Sequence, residues 1–394
     1  MTLKMIDYNI HVKFIITFIY CHFITLNSHP ILTYINTTYT KQTVIHNRTS
    51  SLSYCKSNEH IAGFWNKSIE IDLTKPGKLK SFYCCGWDNN DYLFSPNECG
   101  YQHYPTRYHN EESYIGSTTS IYTHAGGHAC VCDALNENIP KGRWLLNERE
   151  LYKWIPAYCD LLEWNGLHFC SLLGNRTILL VGDSTMGQTS STLMNMIKRH
   201  HGLCNTQIRF GRTDYLISSD NHGWGALEFV DEFKPDIAIF NYGAHGSTIQ
   251  DIENLWLHFI PQIQKMHHLY PNMTLIWKTQ NPGHVNCSLH SHINGDDGDI
   301  NKHPIDYYDP YHSSHKGDYY KWYNFPLFDD ISKNNIIYLY EKFNITMKVI
   351  DMSPVNFRPD AHARPAQDCL HYCLPGPINL FSILLFQMLQ NYEI

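Results

Sequence analysis

The sequence predicts an α/β fold built on a parallel sheet, and two observations lead to this assignment. After Gly174, short apolar runs alternate with amphipathic stretches, beginning with a buried-strand pattern at "TILLV" (177–181) and a helical pattern at "SSTLMNMIKRH" (190–200). Polar segments with glycine, asparagine or proline follow the predicted strands. Strands that alternate with helices form parallel sheets with crossover helices, so we expect a flavodoxin-like three-layer sandwich.

The later elements continue this alternation. A strand is predicted at "PDIAIF" (235–240), and a helical pattern runs from Ile249 to about His268. A strand, a helix, a strand and a helix follow at "TLIWK" (274–278), "IIYLYEKFN" (336–344), "ITMKVID" (345–351) and "INLFSILLFQML" (378–389). Functional groups of such sheets gather at the carboxyl ends of the strands, so the segments that follow strands form the candidate site.

The composition is that of a globular protein without affinity for nucleic acid. The chain has 394 residues, of which 43% are hydrophobic and 17% are charged, which is enough for a large core. Its formal net charge of −7 offers no basic surplus for binding phosphates. Nucleic acid is therefore excluded as an expected partner.

The N-terminal region is typical of a targeting segment. Lys4 and Lys13 precede an apolar run of 13 residues from Phe14 to Leu26, which fits the core of a signal peptide and is short for a membrane span. We assign residues 1–28 as a signal peptide or a signal-anchor, and both readings stay open. Residues 29–54 are polar and rich in threonine and serine, which predicts a glycosylated linker.

The cysteines favour the secretory pathway, so we expect the protein in the Golgi or outside the cell. Cys21 lies in the apolar run, and the other twelve of the 13 cysteines form an even set that suits a disulfide framework. Eight of them lie between residues 55 and 170, which predicts a Cys-rich N-terminal subdomain, followed by a catalytic domain at 171–394.

Seven N-glycosylation sequons support the same compartment. Three of them, Asn175, Asn272 and Asn344, each precede a predicted strand and so should lie on the edge of the sheet opposite the catalytic rim. Asn286 follows a strand, and we predict that it is unmodified or lies to one side. The remaining sequons are Asn36, Asn47 and Asn66.

The first predicted strand leads into "VGDSTMGQ" (181–188). Ser184 at such a strand-to-helix junction can be a nucleophile, with its own backbone N–H as an oxyanion donor at the start of the helix. The alternative is that Asp183 or Ser184 only caps the helix.

Two further segments reach the same rim. In "NYGAHG" (241–246), the Asn241 amide is a candidate second oxyanion donor, and Gly243 allows a substrate to approach the backbone; an ordinary turn is the alternative. In "TQNPGHVNC" (279–287), His284 and Cys287 lie in a loop after a strand, and we assign His284 to support of the loop or of substrate.

The stretch "DAHARPAQDCLHYCLPGP" (360–377) follows the last strand. Asp368 and His371 are expected on one turn of chain, as the acid and the base of a triad with Ser184. A metal site of His362, Asp368 and His371 with a cysteine is the alternative, which an oxidising compartment disfavours. The structural and supporting residues assigned here are Cys369 and Cys373 as disulfide partners, with Arg358, Asp360 and His362 as support of the loop or of substrate.

These motifs resemble those of the SGNH hydrolases, and more narrowly of the PC-esterase and trichome-birefringence-like group of polysaccharide O-acetyltransferases. The resemblance lies in "GDS" (182–184), in "CKSNEHIAGFW" (55–65), in "WIPAYCDLLEWNGLHFCSLLGNRTILLVGDS" (154–184) and in "RPDAHARPAQDCLHYCLPGPINLFSILL" (358–385). It implies an SGNH three-layer sandwich, and it leaves Gly211 as the candidate for the family's oxyanion glycine.

Some positions depart from the plant pattern. "NYGAHG" replaces a tryptophan pair, Tyr372 replaces a tryptophan, and Asn379 stands near the family's Pro-Asp-x-Trp motif. The plant polysaccharide specificity is therefore not carried over.

The expected function is that of a carbohydrate O-acetyltransferase that forms a Ser184 acyl-enzyme. An O-acetylesterase of the same fold and a non-catalytic glycan-binding protein are the alternatives. We expect a carbohydrate or glycoconjugate substrate and no tightly bound cofactor or metal. A chain with at most one membrane anchor cannot itself import a cytosolic acetyl donor. A transferase would therefore need an acetyl donor as co-substrate in the lumen, or a membrane partner that supplies one.

Overall fold

The computed structural model describes residues 53–56, 59–67, 152–199, 203–219, 223–284, 287, 321–364, 368–372, 376–391 and 393–394. The predicted signal segment (1–28), nearly all of the predicted linker (29–54) and most of the Cys-rich region lie outside these residues. Among the helices of the described ranges, none is both long and apolar enough to cross a bilayer.

The two ends of the Cys-rich region meet in an antiparallel strand pair. Strand β1 (Gly63–Lys67) pairs with β2 (Tyr152–Pro156), and the Cys55–Cys159 disulfide joins the same two segments. Trp65 is buried in the core, and its indole N–H donates to the Pro354 carbonyl at 2.7 Å. These segments therefore pack directly against the rest of the fold.

The first helix connects this region to the sheet. Helix α1 (Gly166–Leu173) is joined to the chain after the next helix by the Cys170–Cys204 disulfide. The predicted domain boundary between residues 170 and 171 falls inside α1, and Phe169 is buried in the main core on one side of it. The chain therefore crosses that boundary without a linker.

Five parallel strands form the central sheet, which confirms the predicted α/β fold with a parallel sheet. In chain order they are β3 (Ile178–Gly182), β4 (Ile208–Arg212), β5 (Ile237–Phe240), β6 (Thr274–Lys278) and β7 (Met347–Ile350). In space the order is β4-β3-β5-β6-β7, so the first strand of the sheet lies second from one edge. The direction of the chain across the sheet therefore reverses after β4, beside β3.

Helices cover both faces of the sheet. Because strand side chains alternate between faces, Ile178 and Leu180 join one apolar core, whereas Leu179 and Val181 join the other. The first core includes α1, α2 (Ser184–Arg199) and α6 (Asn379–Gln390). The second core includes α3 (Ala226–Phe233), α4 (Ile249–Leu269) and α5 (Phe325–Phe343).

Several elements differ from the sequence prediction. Helix α2 begins at Ser184 rather than at residue 190, because its first turns bury polar side chains that hydrophobic periodicity does not detect. Helix α5 begins eleven residues before the predicted 336, at Phe325. Strand β4 was not predicted, because Gly211 interrupts its apolar pattern. Helix α3 was not predicted either.

The C-terminal stretch forms a hairpin instead of a single turn. Strand β8 (His362–Arg364) pairs antiparallel with β9 (Asp368–Tyr372), which carries both Asp368 and His371. The expectation that one turn of chain presents these two residues is therefore wrong, because this segment is extended. The hairpin lies between β7 and α6, so it follows the last strand of the sheet as predicted.

Three sequons lie on the surface at the amino ends of strands. Asn175 precedes β3, Asn272 precedes β6 and Asn344 precedes β7, and each is exposed. Asn36, Asn47 and Asn286 lie outside the described residues, and so does the side chain of Asn66.

We predict that these three exposed sequons carry N-glycans, because they are exposed and lie at the amino ends of the strands, opposite the carboxyl ends that carry the candidate site. The measurement is glycopeptide mapping after enzymatic deglycosylation in heavy-oxygen water, on protein secreted by eukaryotic cells. Absence of the heavy-oxygen label at all three of Asn175, Asn272 and Asn344 would contradict the prediction.

Candidate active site

Ser184 stands at the first position of α2, directly beyond the end of β3. The Asp183 carboxylate accepts hydrogen bonds from the Thr185 amide at 2.8 Å and from the Thr185 hydroxyl at 2.7 Å. Asp183 therefore caps the helix, as the alternative reading proposed, and this leaves the Ser184 hydroxyl available for another contact.

The partner of Ser184 is His371. The His371 Nε2 atom lies 2.8 Å from Ser184 Oγ, across 187 residues of sequence. Both residues are half-buried, so they lie within reach of a molecule at the surface. A serine hydroxyl that donates to an unprotonated imidazole nitrogen is the arrangement of a nucleophile with its general base.

Gln188 connects helix α2 to the strand that carries His371. Its side-chain amide donates to the Tyr372 carbonyl at 2.8 Å, and its carbonyl oxygen accepts from the Tyr372 amide at 3.2 Å. Gln188 is fully buried and lies four residues after Ser184, one helical turn along α2. Two hydrogen bonds to one residue therefore set the distance between Ser184 and His371.

The acid of the expected triad stays a prediction. Asp368 lies on β9, where its backbone is opposite Arg364, and its side chain lies outside the described part of the structure. Asp360 belongs to a short 3-10 helix, and its side chain is likewise outside the described part.

The candidate oxyanion residues have different surroundings. Asn241 is buried after β5, and its side-chain amide donates to the Lys278 carbonyl at 3.0 Å, so one of its two N–H bonds serves the fold. Gly211 lies within β4, and a Cβ there would stand 2.6 Å from the Phe229 ring. This close contact gives Gly211 a packing role.

Gly243 also permits a close contact with protein instead of open space. Its φ is +156°, which residues with a side chain rarely adopt. A Cβ added at this position would stand 2.7 Å from the Gln280 side chain. Gly243 therefore allows the loop after β5 to meet the loop after β6.

Two buried ionisable side chains, Lys278 and Asp329, lie close to the candidate site. Lys278, the last residue of β6, is fully buried, and its amine donates to the Thr279 carbonyl at 2.9 Å. Burial lowers the pKa of Lys278 to about 7, against the opposing effects of Asp183 and Asp329. Burial also raises the pKa of Asp329 well above its ordinary value, although the Gln280 amide donates to that carboxyl.

His284 and His362, which were expected to support the loop or the substrate, contact each other behind His371. His284 Nδ1 lies 2.6 Å from His362 Nε2, and His362 Nδ1 lies 3.1 Å from the His371 carbonyl oxygen. The Cys287–Cys369 disulfide joins the same two segments of chain. Cys369 is thus a disulfide partner, as predicted from the sequence, whereas Cys373 lies outside the described residues.

Arg358, another predicted support residue, lies in the core. Arg358 is fully buried, with its guanidinium 5.1 Å from the centre of the Trp65 ring, so it supports packing of the N-terminal segment.

Within the described residues, no group of three or more His, Cys, Asp or Glu side chains is arranged to hold a metal ion. The disulfide moreover removes the Cys369 thiolate from the proposed ligand set.

Sequence reasoning missed two residues of this region. Gln188 lies one helical turn after Ser184, and that spacing was a usable signal in "VGDSTMGQ". Lys278 ends the apolar run "TLIWK" directly before the rim, where a charge at the end of a buried strand is unusual.

Comparisons with known proteins add no relative. No protein-family model matches the chain, and a search of curated proteins found no match. The assignment of chemistry therefore depends on the geometry of Ser184, His371 and their neighbours.

We predict that Gln188→Leu destabilises the protein by about 1–3 kcal/mol, because it removes two buried hydrogen bonds to the Tyr372 backbone. Urea denaturation measures the change. Gln250→Leu is the matched control: Gln250 is exposed and bonds only to Asn254 one turn away, so its loss should cost less than about 0.5 kcal/mol. Equal losses for the two variants would contradict the role of Gln188.

A second prediction concerns Lys278. Its pKa is about 7 in the folded protein and 10.5 in the unfolded chain, so the unfolded state binds more protons between these values. The stability of the wild type should therefore rise with pH in this window, relative to Lys278→Met. Denaturant unfolding at several pH values between about 7 and 9 measures this difference.

Lys333→Met is the control for this experiment. The Lys333 amine lies 2.7 Å from the Asp351 carboxylate. Burial acts to lower the pKa of Lys333, but the charge and hydrogen bond of Asp351 together with the charges of Asp329 and Asp330 outweigh burial and raise it. The stabilisation by Lys333 is therefore fully present below pH 10.5 and should stay constant between about 7 and 9. If the Lys278→Met difference were equally constant, the amine would be charged throughout.

Proposed function

We propose that the protein is a serine acyl-transfer enzyme that acts on O-acetyl groups of carbohydrates. The single observation that carries this proposal is the 2.8 Å contact between Ser184 Oγ and His371 Nε2. The hydroxyl and the imidazole come from opposite ends of the catalytic region, and both remain half-buried. A packing role alone would not require an imidazole nitrogen at hydrogen-bond distance from a hydroxyl at a strand-to-helix junction.

The topology supports an SGNH-type fold of the flavodoxin-like class. Counted within the sheet, the strand order is 2-1-3-4-5, with Ser184 directly after the strand that stands first in sequence. In this order the chain direction across the sheet reverses beside that strand, and such switch points are where open α/β sheets bind ligands. The "GDS" and Asp-x-x-His motifs of the PC-esterase group fit the same positions.

The chemistry follows from these positions. His371 Nε2 accepts the Ser184 proton while Oγ attacks the carbonyl carbon of an acetyl ester, and the negative charge develops on the carbonyl oxygen. As the tetrahedral intermediate collapses, the imidazolium returns the proton to the departing oxygen. An acetyl-Ser184 enzyme remains. Asp368 is proposed to orient His371 and stabilise its cation, although the two residues lie three apart on an extended strand and strand alternation alone does not put them on one face.

The second half-reaction decides between transferase and esterase. A sugar hydroxyl that gives its proton to His371 and attacks the acetyl-enzyme makes the protein an O-acetyltransferase, whereas water makes it an esterase. The family resemblance favours the transferase. The donor would then be a small acetyl ester or thioester in the lumen of the secretory pathway, supplied there by a membrane partner.

The disulfides support this compartment. The described residues contain the pairs Cys55–Cys159, Cys170–Cys204 and Cys287–Cys369, which persist in an oxidising environment. A protein that only binds glycans is the rival function, and it has no need for the contact between Ser184 and His371.

Activity on an acetyl ester of a chromogenic phenol tests this function. We predict that Ser184→Ala and His371→Ala each lower kcat/KM by about 10³-fold or more, because each removes a group that acts only in the transition state. Asp368→Asn should give the mildest loss of the three. A glycan-binding protein would give the same slow background rate in the wild type and in Ser184→Ala.

Ser353→Ala is the matched control for the serine. Ser353 also stands at the start of a helical turn after a sheet strand, and its backbone amide bonds to the Asp351 carboxylate. Its hydroxyl should be dispensable, so the variant should keep wild-type activity. A loss equal to that of Ser184→Ala would mean that the assay reports folding instead of catalysis.

A further inference from the structure

Two histidines lie side by side in the core behind the candidate base. His284 belongs to the loop after β6, and His362 is the first residue of β8, and neither is exposed to solvent. Their ring centres are 4.9 Å apart. Buried imidazoles are usually neutral, because burial disfavours the charged form.

The hydrogen-bond geometry of this pair requires three ring N–H groups. His284 Nε2 lies 2.9 Å from the Asn356 carbonyl oxygen, and His362 Nδ1 lies 3.1 Å from the His371 carbonyl oxygen. A carbonyl only accepts, so both of these nitrogens must donate. The contact of 2.6 Å between His284 Nδ1 and His362 Nε2 needs one further proton between its two nitrogens.

Two neutral imidazoles carry only two N–H groups between them. A neutral pair would therefore set two lone pairs against each other at one of the three contacts. The Tyr372 hydroxyl agrees with the protonated arrangement. It donates to the Pro282 carbonyl at 2.7 Å, so its lone pairs face His284 Nδ1 at 3.3 Å.

We propose that His284 and His362 share one additional proton and that this charged pair is a positioning device for His371. This inference rests on the proposed function in its second half only, since the shared proton follows from the geometry alone. The pair holds the backbone of the residue that is the base, and neither ring touches the reacting atoms.

The position of the pair explains why a charge would be useful there. A hydrogen bond from a charged donor is roughly twice as strong as one between neutral groups. His362 donates to the His371 carbonyl, while Gln188 holds the next residue, Tyr372, from the other side. The backbone of His371 and Tyr372 is thus fixed from two directions, which limits movement of the imidazole relative to Ser184.

The groups that contact the pair come from two segments. Asn356 contributes a carbonyl oxygen, and β9 contributes the His371 carbonyl and the Tyr372 phenol, which is the titratable neighbour whose contact is seen. The Tyr372 ring also lies against His362, with ring centres 4.3 Å apart. An aromatic face at this distance stabilises a cationic imidazole.

Nuclear magnetic resonance of protein labelled with ¹⁵N-histidine counts the protons directly. The ring signals of the pair are assigned by their through-space contacts with Tyr372 and by their loss in His284→Gln and His362→Gln. We expect three ring N–H signals from the two residues at neutral pH. Two signals would mean a neutral pair and would overturn the proposal, whether or not the protein is an enzyme.

Steady-state kinetics on the chromogenic acetyl ester test the positioning role. His362→Phe keeps a ring but removes the donor, and we expect kcat to fall roughly 10- to 100-fold while KM stays within about twofold. His362→Gln can still donate to the His371 carbonyl and should recover part of the loss. Wild-type kcat in His362→Phe would overturn the positioning role.

His60→Gln is the matched control. His60 is another buried histidine, and its Nε2 donates to the Asp351 carbonyl at 2.8 Å instead of to the backbone of the base. It should keep wild-type kcat even if its melting temperature falls. If His362→Phe does not fold, the comparison of His362→Gln with His60→Gln decides, and equal kcat values for the two would overturn the role.

Discussion

The contact between Ser184 and His371 explains how the segments around the candidate site are connected. It joins the first turn of α2 to the last hairpin of the chain, and a change of 1 Å in either element would end it. The surrounding structure holds both sides. Gln188 connects α2 to β9, the Cys287–Cys369 disulfide connects β9 to the loop after β6, and the His284–His362 pair reaches the same strand from below.

The apolar cores and the candidate site occupy different parts of the sheet. Apolar side chains alternate across the two faces of the sheet and form two cores, whereas the carboxyl ends of the strands carry buried polar groups. Burying Lys278 and Asp329 there costs free energy. Burial lowers the pKa of Lys278 and raises the pKa of Asp329, so it disfavours the charged form of each. Such a cost is expected where a site needs a preorganised polar environment close to its reacting groups.

The sequence predicted the parallel sheet and most of its strands, because buried strands are short apolar runs. It also placed Ser184 and His371 on the same rim, since topology brings strand ends together. Strand β4 was missed because Gly211 packs against Phe229, a tertiary contact that no local pattern reports. The hairpin of β8 and β9 and the meeting of His284 with His362 were missed for the same reason: their pairing is set by contacts between distant segments.

The most direct test of the central claim is covalent labelling by a fluorophosphonate, which reacts with a serine only when a base activates it. The labelled protein is digested and the modified peptide is identified by mass spectrometry. We expect a single adduct on Ser184, formed in the wild type and lost or strongly slowed in His371→Ala, while His60→Gln labels at the wild-type rate. An unlabelled Ser184 in folded wild-type protein, or labelling that does not depend on His371, would contradict it.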